Sequence, residues 1–211
     1  NIVERGDSIQ SIKDLAGKKV YATGQGATPE YTLRHILKEN GIDPDSGLTI
    51  QWCADTTEAL SYIANDSEAI AMLPQPFATA AMGQVDGLRV AIDLNDAWTE
   101  IEDCDIVTGV VVARSDFVKE HPQAVETFLS EYEASVAYTN DNAADAAELI
   151  TGYGIVAKAP LAEKAIPKCH ITFLKGQEMK DSVSGYLQIL FDENPQAVGG
   201  TLPADDFYYG L

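Results

Sequence analysis

Two short segments carry the residues best suited to hold a small molecule: Gly24-Gln25-Gly26-Ala27-Thr28 ahead of Pro29, and Gln75 set between Pro74 and Pro76 with Phe77 behind it. The glycines let backbone approach a ligand closely. Thr28-Pro29 has the form of a helix start, where unpaired N–H groups and the positive end of a dipole favour polar or anionic atoms. The prolines stiffen a turn around an amide that both donates and accepts, next to an aromatic ring. A third loop, Cys53 to Thr57, holds Asp55 three residues ahead of Glu58, the spacing of a capping box. None of these loops contains Lys or Arg, so backbone dipoles or a distant cation would have to hold an anion, and a neutral or weakly polar ligand fits as well. The glycines also suit a plain turn and Phe77 a plain core position, and both readings stay open at this point.

Residues with covalent or metal chemistry are scattered. Cys53, Cys104 and Cys169 form no CxxC pair, and His35, His121 and His170 do not complete a zinc ligand set, so neither a metal nor a cofactor is expected. Gly24-x-Gly26 follows a strand signal, but Pro29 stands where a dinucleotide motif needs its third glycine, and no GK[ST] occurs. Ser and Cys nucleophiles lack a neighbouring His or a nucleophile elbow, while Glu102-Asp103 and Asp205-Asp206 read as solvated acids. The expectation is binding without catalysis, not an enzyme.

Charge narrows the partners. Asp plus Glu number 33 against 14 Lys plus Arg, a formal net charge of -19, which repels phosphate backbones and argues against nucleic acid. Hydrophobic residues make up 45%, and no apolar run nears the ~20 residues of a membrane-spanning helix.

The elements that must position the loops alternate in type. Lys19–Ala22, Leu48–Trp52, Ala69–Leu73 and Leu88–Ile92 read as short apolar strands, with helices between them whose apolar faces include Leu33, Ile36 and Leu37, then Leu60 and Ile63, then Phe77 and Ala81. Thr28 is expected to cap the first of these helices. Such a pattern predicts an α/β fold with a mainly parallel sheet covered on both faces, and in such sheets ligands sit beyond the carboxyl ends of the strands. Ile106–Ala113 is the longest strand signal. After it the texture becomes helical, with stripes at Val125 to Val136, Ala143 to Ile150 and Met179 to Phe191, and His170–Leu174 as an isolated strand signal.

The segments Ser11-Ile12-Lys13-Asp14-Leu15-Ala16-Gly17-Lys18-Lys19-Val20, GQGATPEY from Gly24 to Tyr31, LPQPFATAA from Leu73 to Ala81, and TGVVVARSDF from Thr108 to Phe117 with His121-Pro122 together resemble the solute-binding proteins of ABC importers. The likeness is greatest to the branch associated with nitrate, sulfonate, taurine and thiamine-precursor uptake. It implies a type 2 periplasmic binding protein fold of two lobes joined by crossing strands. Residues 1–6 would be one crossing strand, 7–105 a second-lobe α/β domain, 106–114 the return crossing strand, and 115–211 a helical segment belonging largely to the first lobe. The opening residues read as half a strand with no initiator Met, and the chain is expected to be an N-terminally truncated member of the family.

The resemblance implies that Gln25, Gly26, Ala27 and Thr28 form a helix-end cradle and that Gln75, Pro76 and Phe77 form a second wall. Thr108 and Gly109 would sit at the hinge, with Asp55 as a further contact from its loop. It also implies a small-molecule solute, an ABC permease as membrane partner, and an extracytoplasmic, periplasmic or lipoprotein location. Apolar surface on the C-terminal helices is expected to fold back on the remaining lobe or to pair two chains as a homodimer. The alternatives are a ligand-sensing domain or a thiamine-precursor-type enzyme on the same scaffold.

Overall fold

Short strands with apolar residues at both alternating positions must be covered on both sides, and this requirement sets the layering. The computed structural model describes residues 1–211. In chain order the first part holds β1 (Ile2–Arg5), β2 (Lys19–Ala22), α1 (Thr28–Glu39), β3 (Thr49–Trp52), α2 (Thr56–Asn65), β4 (Ile70–Met72), α3 (Phe77–Met82), β5 (Leu88–Ile92) and α4 (Leu94–Thr99). The sheet order is β3-β2-β4-β1-β5. β2 runs parallel to β3 and β4, and β1 is inserted antiparallel between β4 and β5.

Alternation then splits the core in two. Ile2, Val20, Ala22, Ile70 and Met72 join Leu33, Ile36, Leu37 and Trp98 on one face. Val3, Tyr21 and Ala71 join Ala59, Ile63, Ala78 and Ala81 on the other. A single-residue register slip would exchange these sets, so burial on both faces pins the pairing.

The helical region continues with α5 (Ser115–Glu120), α6 (Pro122–Asp141), α7 (Ala143–Gly152), α8 (Ala159–Ala165) and α9 (Gly176–Glu193). It does not behave as one segment. The chain divides into a unit of residues 1–108 with 175–211, and a second unit of residues 109–174. Residues 175–211 therefore belong with the sheet and not with the other helices. α9 lies on α1, where Lys38 Nζ donates to both Glu193 oxygens at 2.7 Å and Asn194 Nδ2 donates to the Tyr31 hydroxyl at 2.9 Å. Tyr186 and Leu190 complete the core face that α1 begins.

In the second unit, Ala146, Ala147, Ala162 and Ile166 form a small core between α7 and α8. Tyr132 stacks with Phe128 and meets the edge of Phe173, and Asn140 Nδ2 donates to the Ile171 carbonyl. Two expected strands are absent. Residues 106–114 and 170–174 form no ladder, and Val110, Val111 and Val112 are more than half exposed. β-branched side chains favour extended backbone, but a strand exists only where a second strand takes up its N–H and C=O groups, and no described strand lies alongside.

Candidate functional site

Parallel pairing brings three loops to one rim. Ala22 pairs with Trp52, and Tyr21 pairs with Ala71, so β2, β3 and β4 end at the same level. The loops that leave them are Thr23–Ala27, Cys53–Asp55 and Leu73–Pro76, and each opens the next helix. Gln25, Gly26, Ala27, Thr28, Asp55, Gln75, Pro76 and Phe77 are thus gathered at the carboxyl edge of three adjacent strands.

The first loop is shaped by glycine. Gly24 has φ +87°, and a Cβ there would lie 2.8 Å from Pro29 Cγ, so a side chain has neither the backbone freedom nor the space. Gly26 also has a positive φ, of +74°. Thr28 does not cap α1, as its position suggested. Ala27 occupies the cap in extended backbone with no side-chain bond, and Thr28 is the first helical residue. The role passes to Glu30, whose Oε2 accepts from the Gly26 amide at 2.7 Å, because the helix begins one residue earlier than expected.

The second loop follows its capping-box pattern. Asp55 caps α2 by accepting from Glu58 N at 2.9 Å, and Glu58 reaches back to Ala54 N at 2.7 Å. Beside it lies the buried thiol of Cys53. A thiol near a helix start is ordinarily made more acidic, but here burial, followed by the Glu58 and Asp55 carboxylates, pushes it up and keeps it protonated.

In the third loop the Gln75–Pro76 peptide bond is cis. Gln75 Oε1 accepts from the Thr79 hydroxyl at 2.8 Å and from Thr79 N at 3.3 Å. Its Nε2 is shielded and makes no hydrogen bond, which is uncommon for a buried donor. Phe77 is half exposed and thus not a core residue.

Thr108 and Gly109 are not gathered with the others by the sheet. Thr108 ends the first unit and Gly109 begins the second, in a stretch without ladder partners. Sequence reasoning also misread Glu102, which is not a free surface acid. Its Oε1 lies 2.7 Å from His35 Nε2, beside the ring of Trp98. No group of three His, Cys, Asp or Glu side chains converges as metal ligands, and no helix is long and apolar enough to cross a membrane.

This combination of a mainly parallel sheet, one inserted antiparallel strand and helix-opening loops on one rim defines a lobe of the periplasmic binding protein type. Residues 1–146 match the family described as NMT1/THI5 like, and the chain belongs to that family. A comparison with curated protein sequences finds no match. Among solved structures, the chain is similar to an ABC transporter from Parabacteroides distasonis, at 23% identity and TM-score 0.73 over 99% of this chain and 69% of that one. It is also similar to the periplasmic aliphatic sulphonate binding protein SsuA of Escherichia coli, at 18% identity and TM-score 0.76, covering 99% and 64%. A third likeness is to the desulfurization enzyme DSZB, at 11% identity and TM-score 0.57, covering 92% and 68%. The chain spans about two thirds of the length of each of these proteins, and at such identities the likeness speaks for the fold alone.

Proposed function

We infer that this chain is the solute-binding component of an ABC importer, which captures a small polar solute at the rim of β2, β3 and β4 without altering it. In the whole protein, working outside the cytoplasmic membrane, the solute would also touch a second lobe and so shift the population toward a closed form that the membrane permease recognises.

The observation that carries this reading is the arrival of three helix-opening loops at the carboxyl edge of β2, β3 and β4, with the shielded Nε2 of Gln75 left without a partner in one of them. In this reading Gln25, Gly26, Ala27 and Thr28 form one wall of the site. Pro76 and Phe77 form the other with Gln75, Asp55 sits between them, and Thr108 and Gly109 act as the hinge. Capture without catalysis is favoured by Cys53, because the rim's thiol is held in its unreactive form. Pairing of two chains through exposed apolar positions such as Leu149, Tyr153 and Ile155 belongs to the same reading, and the mass in solution tests it.

The decisive experiment is a thermal-shift screen of the full-length protein against alkanesulfonates, nitrate, pyrimidines and other small polar solutes. A true ligand at a hundred times its Kd adds about 2.7 kcal/mol and raises Tm in a concentration-dependent way. A flat response to every solute would remove the support for a binding role.

A further inference from the structure

The wall formed by Gln25, Gly26, Ala27 and Thr28 leads into a helix that has no cap of its own. Asp55 closes the start of α2 with its carboxylate, whereas Ala27 has no polar side chain to offer α1 and Pro29 brings no N–H. What fixes this turn must come from further away.

Three consecutive residues near the start of α1 reach in three directions. Glu30 reaches back to the Gly26 amide. Thr32 reaches into the core, to the hydroxyl of Tyr186. Tyr31 lies between them at the edge of that core, and its hydroxyl accepts from Asn194 Nδ2 at 2.9 Å.

Asn194 is itself held on both sides. Its backbone N–H donates to the Leu190 carbonyl and ends α9, and its Oδ1 accepts from Gln196 N at 3.1 Å across Pro195. The orientation of the amide is therefore set independently of Tyr31, with the oxygen taken and Nδ2 left for the phenol. From Tyr31 the line continues to the rim through backbone. Its own N–H donates to the Ala27 carbonyl at 3.4 Å, and Ala27 N donates to the Gly24 carbonyl at 3.1 Å, which closes the glycine turn.

We propose that Asn194, acting through Tyr31, is a positioning residue for the binding site: it fixes where α1 begins and so holds the Gly24–Thr28 wall in one shape before a solute arrives. The inference rests on the reading that the rim binds a solute. Asn194 touches no solute in this account. Its contribution is preorganisation, because a wall that must be ordered during binding costs affinity that an ordered wall keeps.

The link can be cut from either end. Tyr31→Phe keeps the ring against the core and removes the acceptor, while Asn194→Ser keeps a hydroxyl for Gln196 N but falls short of Tyr31. Asn194→Asp restores the link with its polarity reversed, since a phenol donates to a carboxylate. Val85→Ala, in the core just ahead of β5 and so at the opposite end of the strands from the rim, is the control for lost stability alone.

In the ligand-free full-length chain, nitrogen-15 relaxation reads the loop directly. Order parameters at Gly24 to Ala27 should fall from about 0.85 to below about 0.6 in Tyr31→Phe and in Asn194→Ser, with no further loss in the double variant and none in Asn194→Asp or Val85→Ala. For a solute found by the thermal-shift screen, calorimetry on the folded variants should show affinity roughly fivefold weaker in the same two and restored in Asn194→Asp. An equally rigid loop in both cut variants, or an equal loss in Val85→Ala, would overturn the proposal. A solute held equally tightly by every variant overturns the positioning role and leaves the rim as the site, whereas no solute held by the unaltered chain overturns the binding reading and this role with it. If Asn194→Ser fails to fold, Tyr31→Phe decides alone.

Discussion

Tyr186 and Thr32 share a buried 2.8 Å hydrogen bond between residues 154 positions apart, and this contact locks α9 onto α1. Both side chains lie in the core, with Trp98 meeting the Tyr186 ring edge-on at 5.4 Å. The helix that carries the candidate glycine loop is therefore held from behind by the far end of the chain.

Replacing Tyr186 by Phe strands the Thr32 hydroxyl in that core. The expected loss is about 1–2 kcal/mol in urea unfolding, with the fold retained. The same pair has a signature in alkali. Burial pushes the Tyr186 phenol from its ordinary 10 up to about 12, offset in part by Thr32. A raised acid pKa favours the folded state fully below the unfolded value and loses that contribution as pH rises from 10 to 12. The unaltered chain should thus lose more stability across that window than Tyr186→Phe does.

Glu4 presents the opposite sign. It is almost fully buried, with Oε1 accepting from Ile9 N at 2.9 Å and from Arg89 at 2.6 Å, and Oε2 from Ser8 at 2.6 Å. Burial pushes its pKa up, but these hydrogen bonds and the Arg89 charge outweigh it and the carboxyl ends below its usual range. The contribution is present above the unfolded value near 4.5 and fades as pH falls through the depressed one. Glu4→Leu leaves Arg89 without its partner and should cost roughly 3 kcal/mol at pH 7, a gap that narrows in acid denaturation curves below pH 4.

Gln75→Glu separates binding from stability. The carboxylate keeps the acceptor that Thr79 uses and removes the Nε2 donor. Solute affinity in calorimetry should fall about tenfold, the worth of one polar contact, while Tm stays level or rises. Unchanged affinity would take Gln75 out of the site.

Asp55→Ala removes the cap of α2. The cost should be near 1 kcal/mol, a Tm drop of roughly 2–4 °C for a chain of this size.

Thiol alkylation probes the rim without any ligand. Burial is the first cause that raises all three cysteines, Cys53, Cys104 and Cys169. Each should react with iodoacetamide more slowly than a free thiol at pH 7.5, and rapidly once urea unfolds the chain. Fast reaction of Cys53 in the native protein would reopen a catalytic reading of the rim.

What the residues themselves disclosed was mostly local. Gly24, Gly26 and Pro29 marked one loop and Asp55 with Glu58 another, because caps and turns depend on a few neighbours in sequence. The period of Val20, Ile70 and Met72 marked buried strands for the same reason. Three things needed the fold. The absence of a strand at Val110–Val112 depends on whether another strand is near, which propensity does not encode. The return of α9 to α1 depends on Thr32 meeting Tyr186, and nothing in either local pattern announces it. The unpaired outer edge of β3 arises from its place at the end of the sheet, a property of strand order alone.

The position of β1 has a further consequence for how this protein comes to fold. Ile2, Val3 and Glu4 pair with Ile70 to Met72 on one side and, with Arg5, with Leu88 to Ile92 on the other. The wedge that joins β4 to β5 is thus made well before its neighbours, since they follow it by some 70 to 90 residues. Such distant closures are slow. During synthesis Ile2 and Val3 must wait, apolar and unpaired, for a slot that only the emergence of β5 completes.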